Sequence, residues 1–113
     1  MTGNLLADLP DASCAEITEI LATGRDLRIE RIVSRGQGSP SGFWYDQDEH
    51  EWVAVLAGSA VLILRMPDER LTLGPGDHAL IPAQRPHRIE TTAPDTETVW
   101  LAVFFRDYSA AGT

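Results

Sequence analysis

Apolar and polar residues follow two rhythms along this chain. Near the start, Ile17, Ile20 and Leu21 recur at helical spacing. Ser13 and Glu16 precede them with capping-box spacing, and Gly24 stands where a helix-ending glycine would. This predicts a short helix over Cys14–Thr23 with one apolar face. From Asp26 the period becomes two. Leu27, Ile29, Arg31 and Val33 alternate with Arg28, Glu30 and Ile32, a strand with burial on both faces. Arg35–Gly42 is a loop by composition, and Phe43–Tyr45 is a short extended piece leading into an acidic segment. Trp52–Ala57 and Ala60–Met66 are apolar runs flanking Gly58-Ser59, a pair that suits a two-residue hairpin turn. Leu71–Leu73, Ala79–Ile81, the alternating His87–Thr92 and the long apolar Thr98–Phe105 complete the series. Turn sequences separate them, Gly74-Pro-Gly-Asp77 being the strongest.

About eight short, regularly punctuated strands predict an all-β sandwich or barrel rather than βαβ units. The expected organisation is a lead-in and helix over 1–25, a barrel over 26–108 and a frayed tail over 109–113. Strands 52–57, 60–66 and 98–105 are apolar on both faces. One face can fill the barrel, and the other needs cover from the N-terminal helix or a second subunit, so a homodimer is expected.

Composition narrows the function. The 113 residues carry a formal charge of −8, with 17 acidic residues against nine basic ones, all arginine. Nucleic-acid binding, which relies on clustered cations, is not expected. The absence of lysine removes Schiff-base chemistry and a P-loop. Neither a G-x-S-x-G elbow nor a dinucleotide glycine fingerprint is present. No apolar run could span a bilayer, and the first residues have no signal-peptide pattern, so a cytoplasmic protein is expected. Cys14, the only cysteine, rules out an intrachain disulfide or a thiol zinc cluster, and is expected to pack under the helix.

The candidate chemistry lies between Gly42 and Gly58, where Asp46, Gln47, Asp48, Glu49, His50 and Glu51 run into the apolar strand. Glu51 stands in E-x6-G spacing before Gly58. Downstream, Gly76, Pro82, Gln84, His87 and Thr91 follow the order of G-x5-P-x-G-x2-H-x3-N, with Gln84 in the glycine place and Thr91 in the asparagine place. With Pro75-Gly-Asp77 and Ile81-Pro82, these two motifs cover about half the chain, and in them it resembles the cupins. The resemblance implies a double-stranded β-helix, or jelly-roll barrel. It also implies a divalent metal (Zn, Fe, Mn or Ni) held inside by two histidines and a glutamate of the first motif and a histidine of the second. Here the first-motif histidine places hold Tyr45 and Gln47 in one register and Trp44 and Asp46 in the other.

By this resemblance the candidate metal ligands are Gln47, Glu51 and His87, with His50 ranked lower because strand alternation turns it away from Glu51. A pair formed by Glu51 and His87 has two readings, metal ligation or a hydrogen-bonded imidazole and carboxylate. Tyr45, Phe43, Ile89 and Thr91 are the candidate lining of a small-molecule pocket. Arg85 and Arg88, beside His87, could clamp an anion or simply be solvated. His78 receives no role. The readings left open are a metal-dependent enzyme of dioxygenase, isomerase or decarboxylase type, a non-enzymatic ligand-binding or sensor barrel, and a metal-free acid–base enzyme using Glu51 and His87.

Overall fold

The structure is a computed structural model that describes residues 2–106. The expected frayed tail, 109–113, lies outside the described residues. Eight strands follow in order: β1 (Ile17–Gly24), β2 (Leu27–Ser34), β3 (His50–Ala57), β4 (Ala60–Leu64), β5 (Glu69–Leu73), β6 (His78–Ile81), β7 (His87–Thr92) and β8 (Thr98–Phe105). They form a five-stranded sheet ordered β1-β2-β8-β3-β6 and a three-stranded sheet ordered β5-β4-β7. Every pairing is antiparallel.

Side-chain alternation sorts each strand between the inside of this sandwich and its outside. Val53 and Val55 of β3, Leu62 and Leu64 of β4, Ile81 of β6, and Trp100, Ala102 and Phe104 of β8 are buried together as the core. The outer face of the larger sheet carries a partly buried row in register, Ile29–Val103–Trp52–Leu80. Nearby, the buried guanidinium of Arg31 donates to the carbonyls of Leu5, Ala7 and Asp8 and to Glu19 Oε1 at 2.7 Å, tying the lead-in segment to the sheet.

Three expectations are corrected. No helix forms over Cys14–Thr23; the chain from Ile17 is a strand on the edge of the larger sheet. The β-branched residues Ile17, Thr18, Ile20 and Thr23 favour that outcome, and pairing with β2 supplies backbone partners that a ten-residue isolated helix would have to find alone. Glu16 does not cap; it accepts the Ser34 hydroxyl at 2.7 Å. Cys14 is exposed rather than packed under a helix. Finally, Gly58-Ser59 does not close a hairpin. β3 and β4 lie in different sheets, and the pair is the corner at which the chain crosses between them.

That corner is pinned by Thr98, whose hydroxyl donates to the Ser59 carbonyl at 3.0 Å and accepts the Ser59 N–H at 3.2 Å. Gly58 has φ of +81°, and a Cβ there would meet the Thr98 hydroxyl and lie 2.6 Å from the Glu97 carbonyl oxygen. Both the left-handed backbone and the close approach require glycine. Gly58→Ala is expected to cost about 3 kcal/mol or more in urea unfolding. A loss below about 1 kcal/mol would mean the corner is not held as described.

Candidate active site in the barrel interior

A cavity of about 270 Å³ lies between the two sheets. β3 places Glu51 and Val53 on its wall, β7 places His87 and Ile89, β6 places Ile81, and β8 places Trp100 and Phe104. The strand β3 begins only at His50, so Gln47 reaches the cavity from the preceding loop. That loop is fastened where the Gln84 N–H donates to the Gln47 carbonyl at 2.7 Å. Tyr45 is fastened by a two-way backbone bridge to His87, at 2.7 and 3.0 Å. Its ring stacks on the His87 imidazole, with centroids 5.3 Å apart.

The polar centre is a short chain of contacts. His87 Nε2 lies 3.4 Å from Glu51 Oε1, and Gln47 Nε2 donates to the same oxygen at 3.3 Å. His87 Nδ1 lies 2.9 Å from the Arg85 carbonyl oxygen. A carbonyl can only accept, so Nδ1 carries a hydrogen and Nε2 faces the carboxylate. A neutral imidazole in this tautomer would aim a lone pair at Glu51; a proton on Nε2 turns the contact into an ion pair.

The pKa of His87 reflects that choice. Burial of the imidazole pushes it down, but the hydrogen bond to Glu51 pushes it up, aided by the Arg85 carbonyl and the Glu51 charge, and the net direction is up. Because the folded pKa is raised, the pair contributes its full stability below the unfolded histidine value of about 6.5 and loses it as pH rises through the folded pKa. Unfolding free energy is therefore expected to decline across that window in the native chain, and to decline less in Glu51→Gln. Equal slopes in urea titrations from pH 6 to 9, covering about that window, would contradict the pairing.

Gln47, Glu51 and His87 are thus brought together, and Tyr45 and Ile89 join them on the wall. His50 is not among the lining residues. Its Nδ1 accepts the Ala83 N–H at 2.9 Å and its ring lies against Phe105. Phe43 is 43 % exposed, is not among the described lining residues, and makes an edge contact with the Tyr45 ring. Thr91 is displaced from the interior by a bulge. Thr91 pairs with Val61 but Ile89 pairs with Leu62, leaving Glu90 as the extra residue. The alternation reverses there, so Thr92 is buried and Thr91 exposed. His78 stacks on Trp52 outside. Arg85 pairs with Glu69 at 3.0 Å and Arg88 donates to the Ser39 carbonyl at 3.1 Å; neither lines the cavity, so no anion clamp forms there.

Sequence reasoning missed the far wall, where Glu16, Thr18, Arg28 and Glu30 line the cavity. Arg28 is held by Glu30 at 2.6 Å and lies 4.3 Å over the Phe104 ring. The alternation of β2 displays Arg28, Glu30 and Ile32 on one face, but only the pairing with β8 decides that this face is the inner one.

Glu51 and His87 are placed as metal ligands, and the Nδ1–H bond to a carbonyl is the support that a ligating histidine commonly has. Catalytic metal sites usually add a third protein ligand. Among the described residues no three His, Cys, Asp or Glu side chains converge on a common point. Gln47 adds only a neutral amide, which here donates to Glu51 at 3.3 Å. The residues present do not fit a resident divalent metal.

The family model for the cupin domain matches residues 32–104. The chain therefore belongs to the cupin family. Among solved structures it is similar to a protein from Ralstonia eutropha JMP134 provisionally named a mannose-6-phosphate isomerase, with 42% identity over 95% of this chain and 99% of that one, and a TM-score of 0.90. It shares the fold of a cupin superfamily protein from Desulfitobacterium hafniense, at 18% identity over 88% and 84% of the two chains, with a TM-score of 0.71. The same holds for the polyketide cyclase of Streptomyces resistomycificus, at 22% identity over 81% and 66%, with a TM-score of 0.66. Among curated proteins, none matches the chain.

Proposed function

We propose that the barrel interior binds one small polar molecule and that Glu51 and His87 move protons on it as a metal-independent acid–base pair. The observation that carries this reading is the 3.4 Å contact between Glu51 Oε1 and His87 Nε2 on the cavity wall, with Nδ1 fixed by the Arg85 carbonyl. A carboxylate base beside an imidazolium acid is suited to proton transfer next to a carbonyl group. Glu51 takes the proton from the carbon beside the carbonyl, and His87 gives its Nε2 proton to the carbonyl oxygen. In an α-hydroxy carbonyl compound this gives a neutral enediol, and Glu51 then returns its proton either to the original carbon, as the first oxygen gives its proton back to His87, or to the former carbonyl carbon, as the neighbouring hydroxyl gives its proton to His87 and becomes the new carbonyl. Substrate and product are isomers, and the pair ends in its starting charge state.

The similarity to a protein named as a sugar isomerase supports the same reaction class. The cavity, slightly below the usual range of about 300–1,000 Å³ for ligand sites, suits one compact molecule. A metal-dependent form of this chemistry finds less support, because the donor set stops at Glu51 and His87. A second reading, a ligand-binding barrel without catalysis, draws on that same incomplete donor set.

Deuterium transfer separates the two. The protein, incubated in D2O with mannose or fructose, is expected to place deuterium on the carbon beside the carbonyl, read by proton NMR. Binding without label would remove the acid–base reading and leave the binding barrel.

A further inference from the structure

The cavity has a second polar centre that the acid–base pair does not use. Glu16, from the segment before β1, is held there by a buried relay. The Trp100 indole N–H donates to the Ser34 hydroxyl oxygen at 3.2 Å, and the Ser34 hydroxyl donates to Glu16 Oε2 at 2.7 Å. Ser34 is fully buried and Trp100 is 2 % exposed, so the carboxylate is anchored by fixed groups. It lies toward the opposite end of β8 from Glu51, since Ser34 pairs with Thr98 and Glu51 pairs with Phe104. The Tyr45 phenol feels both ends. Burial raises its pKa first, and the charges of Glu16 and Glu51 raise it further.

Carboxylates outnumber basic groups on the walls. Glu16, Glu30 and Glu51 are acidic; the basic groups among the described lining residues are Arg28 and His87. Both are already engaged: Arg28 by Glu30 at 2.6 Å and by Glu49 at 3.4 Å, and His87 by Glu51. A phosphate dianion entering this space would meet carboxylates and find no uncommitted cation. A hydroxyl group, by contrast, can donate to a carboxylate at either end.

We propose that Glu16 is a specificity-determining residue, and that with the Glu51 centre it selects an uncharged, hydroxyl-rich molecule over the corresponding phosphate ester. This rests on the reading of the cavity as a small-molecule site. It departs from the phosphorylated sugar in the name of the similar protein.

The test is a pair of titrations on the native chain, D-mannose against mannose 6-phosphate, followed through the Trp100 indole N–H in nitrogen-correlated NMR. Mannose is expected to shift that signal, and mannose 6-phosphate to bind about tenfold more weakly or worse. Glu16→Gln is expected to weaken mannose binding by about fivefold and to narrow the gap between the two ligands. Equal or tighter binding of the phosphate ester would overturn the proposal, as would the absence of any shift with either sugar. Unchanged selectivity in a folded Glu16→Gln variant would remove Glu16 from it. Binding is read without catalysis, so mannose that binds but takes up no deuterium counts against the acid–base pair and not against this selectivity.

Discussion

Glu51→Gln is expected to slow deuterium transfer into a bound hydroxy-carbonyl compound by about 10²–10⁴-fold, the range for loss of a positioned acid or base. The substitution keeps the side-chain volume and one acceptor oxygen near Gln47 and His87, so the packing of β3 should survive. It removes two things together. The base can no longer take a proton, and His87 loses the partner that raises its pKa. With burial then the main influence, the imidazole shifts toward its neutral form and becomes a poorer acid. The loss should therefore appear chiefly in the rate of label uptake at saturating substrate, with binding changed much less. A variant with the native rate would mean that Glu51 is not the base.

Trp100→Ala is expected to lower stability by about 3–5 kcal/mol in urea or guanidinium unfolding, the usual cost of emptying a buried tryptophan site. Trp100 is 2 % exposed and belongs to the core cluster between the sheets. Its indole N–H also satisfies the buried Ser34 hydroxyl oxygen. Trp100→Phe separates these contributions, because it retains most of the ring volume and forfeits the hydrogen bond, at a cost of about 1 kcal/mol. A Trp100→Ala loss below about 2 kcal/mol would show that the indole is not packed as described. Both variants should also loosen Glu16, so mannose selectivity should fall with them.

Much of this was legible in the chain. The strands from β2 to β8 follow from alternation and turn sequences, and Glu51 and His87, singled out by the family resemblance, both lie on the cavity wall. What was not legible depended on pairing. Ile17, Ile20 and Leu21 suit one helical face as well as a strand, and the choice was made by the open edge of β2. Gly58-Ser59 reads as a hairpin until its flanking strands are seen to pair with β6 and β8 on one side and β5 and β7 on the other. Thr91 was placed inside by unbroken alternation, and the bulge at Glu90 has no signature in residue type. Glu16 was hidden because its spacing from Ser13 imitates a helix cap, whereas its partner Ser34 is distant in sequence and adjacent only through the β1–β2 pairing.

The central claim is that Glu51 and His87 transfer protons inside the barrel without a resident metal. Its most direct test is deuterium uptake by mannose with protein that has been exhaustively treated with a chelator and checked for metal by elemental analysis. The metal-stripped native chain is expected to retain its full rate, and Glu51→Gln to lose it. Uptake that disappears on stripping and returns with added Zn, Mn, Fe or Ni would contradict the account and restore the metal to the site.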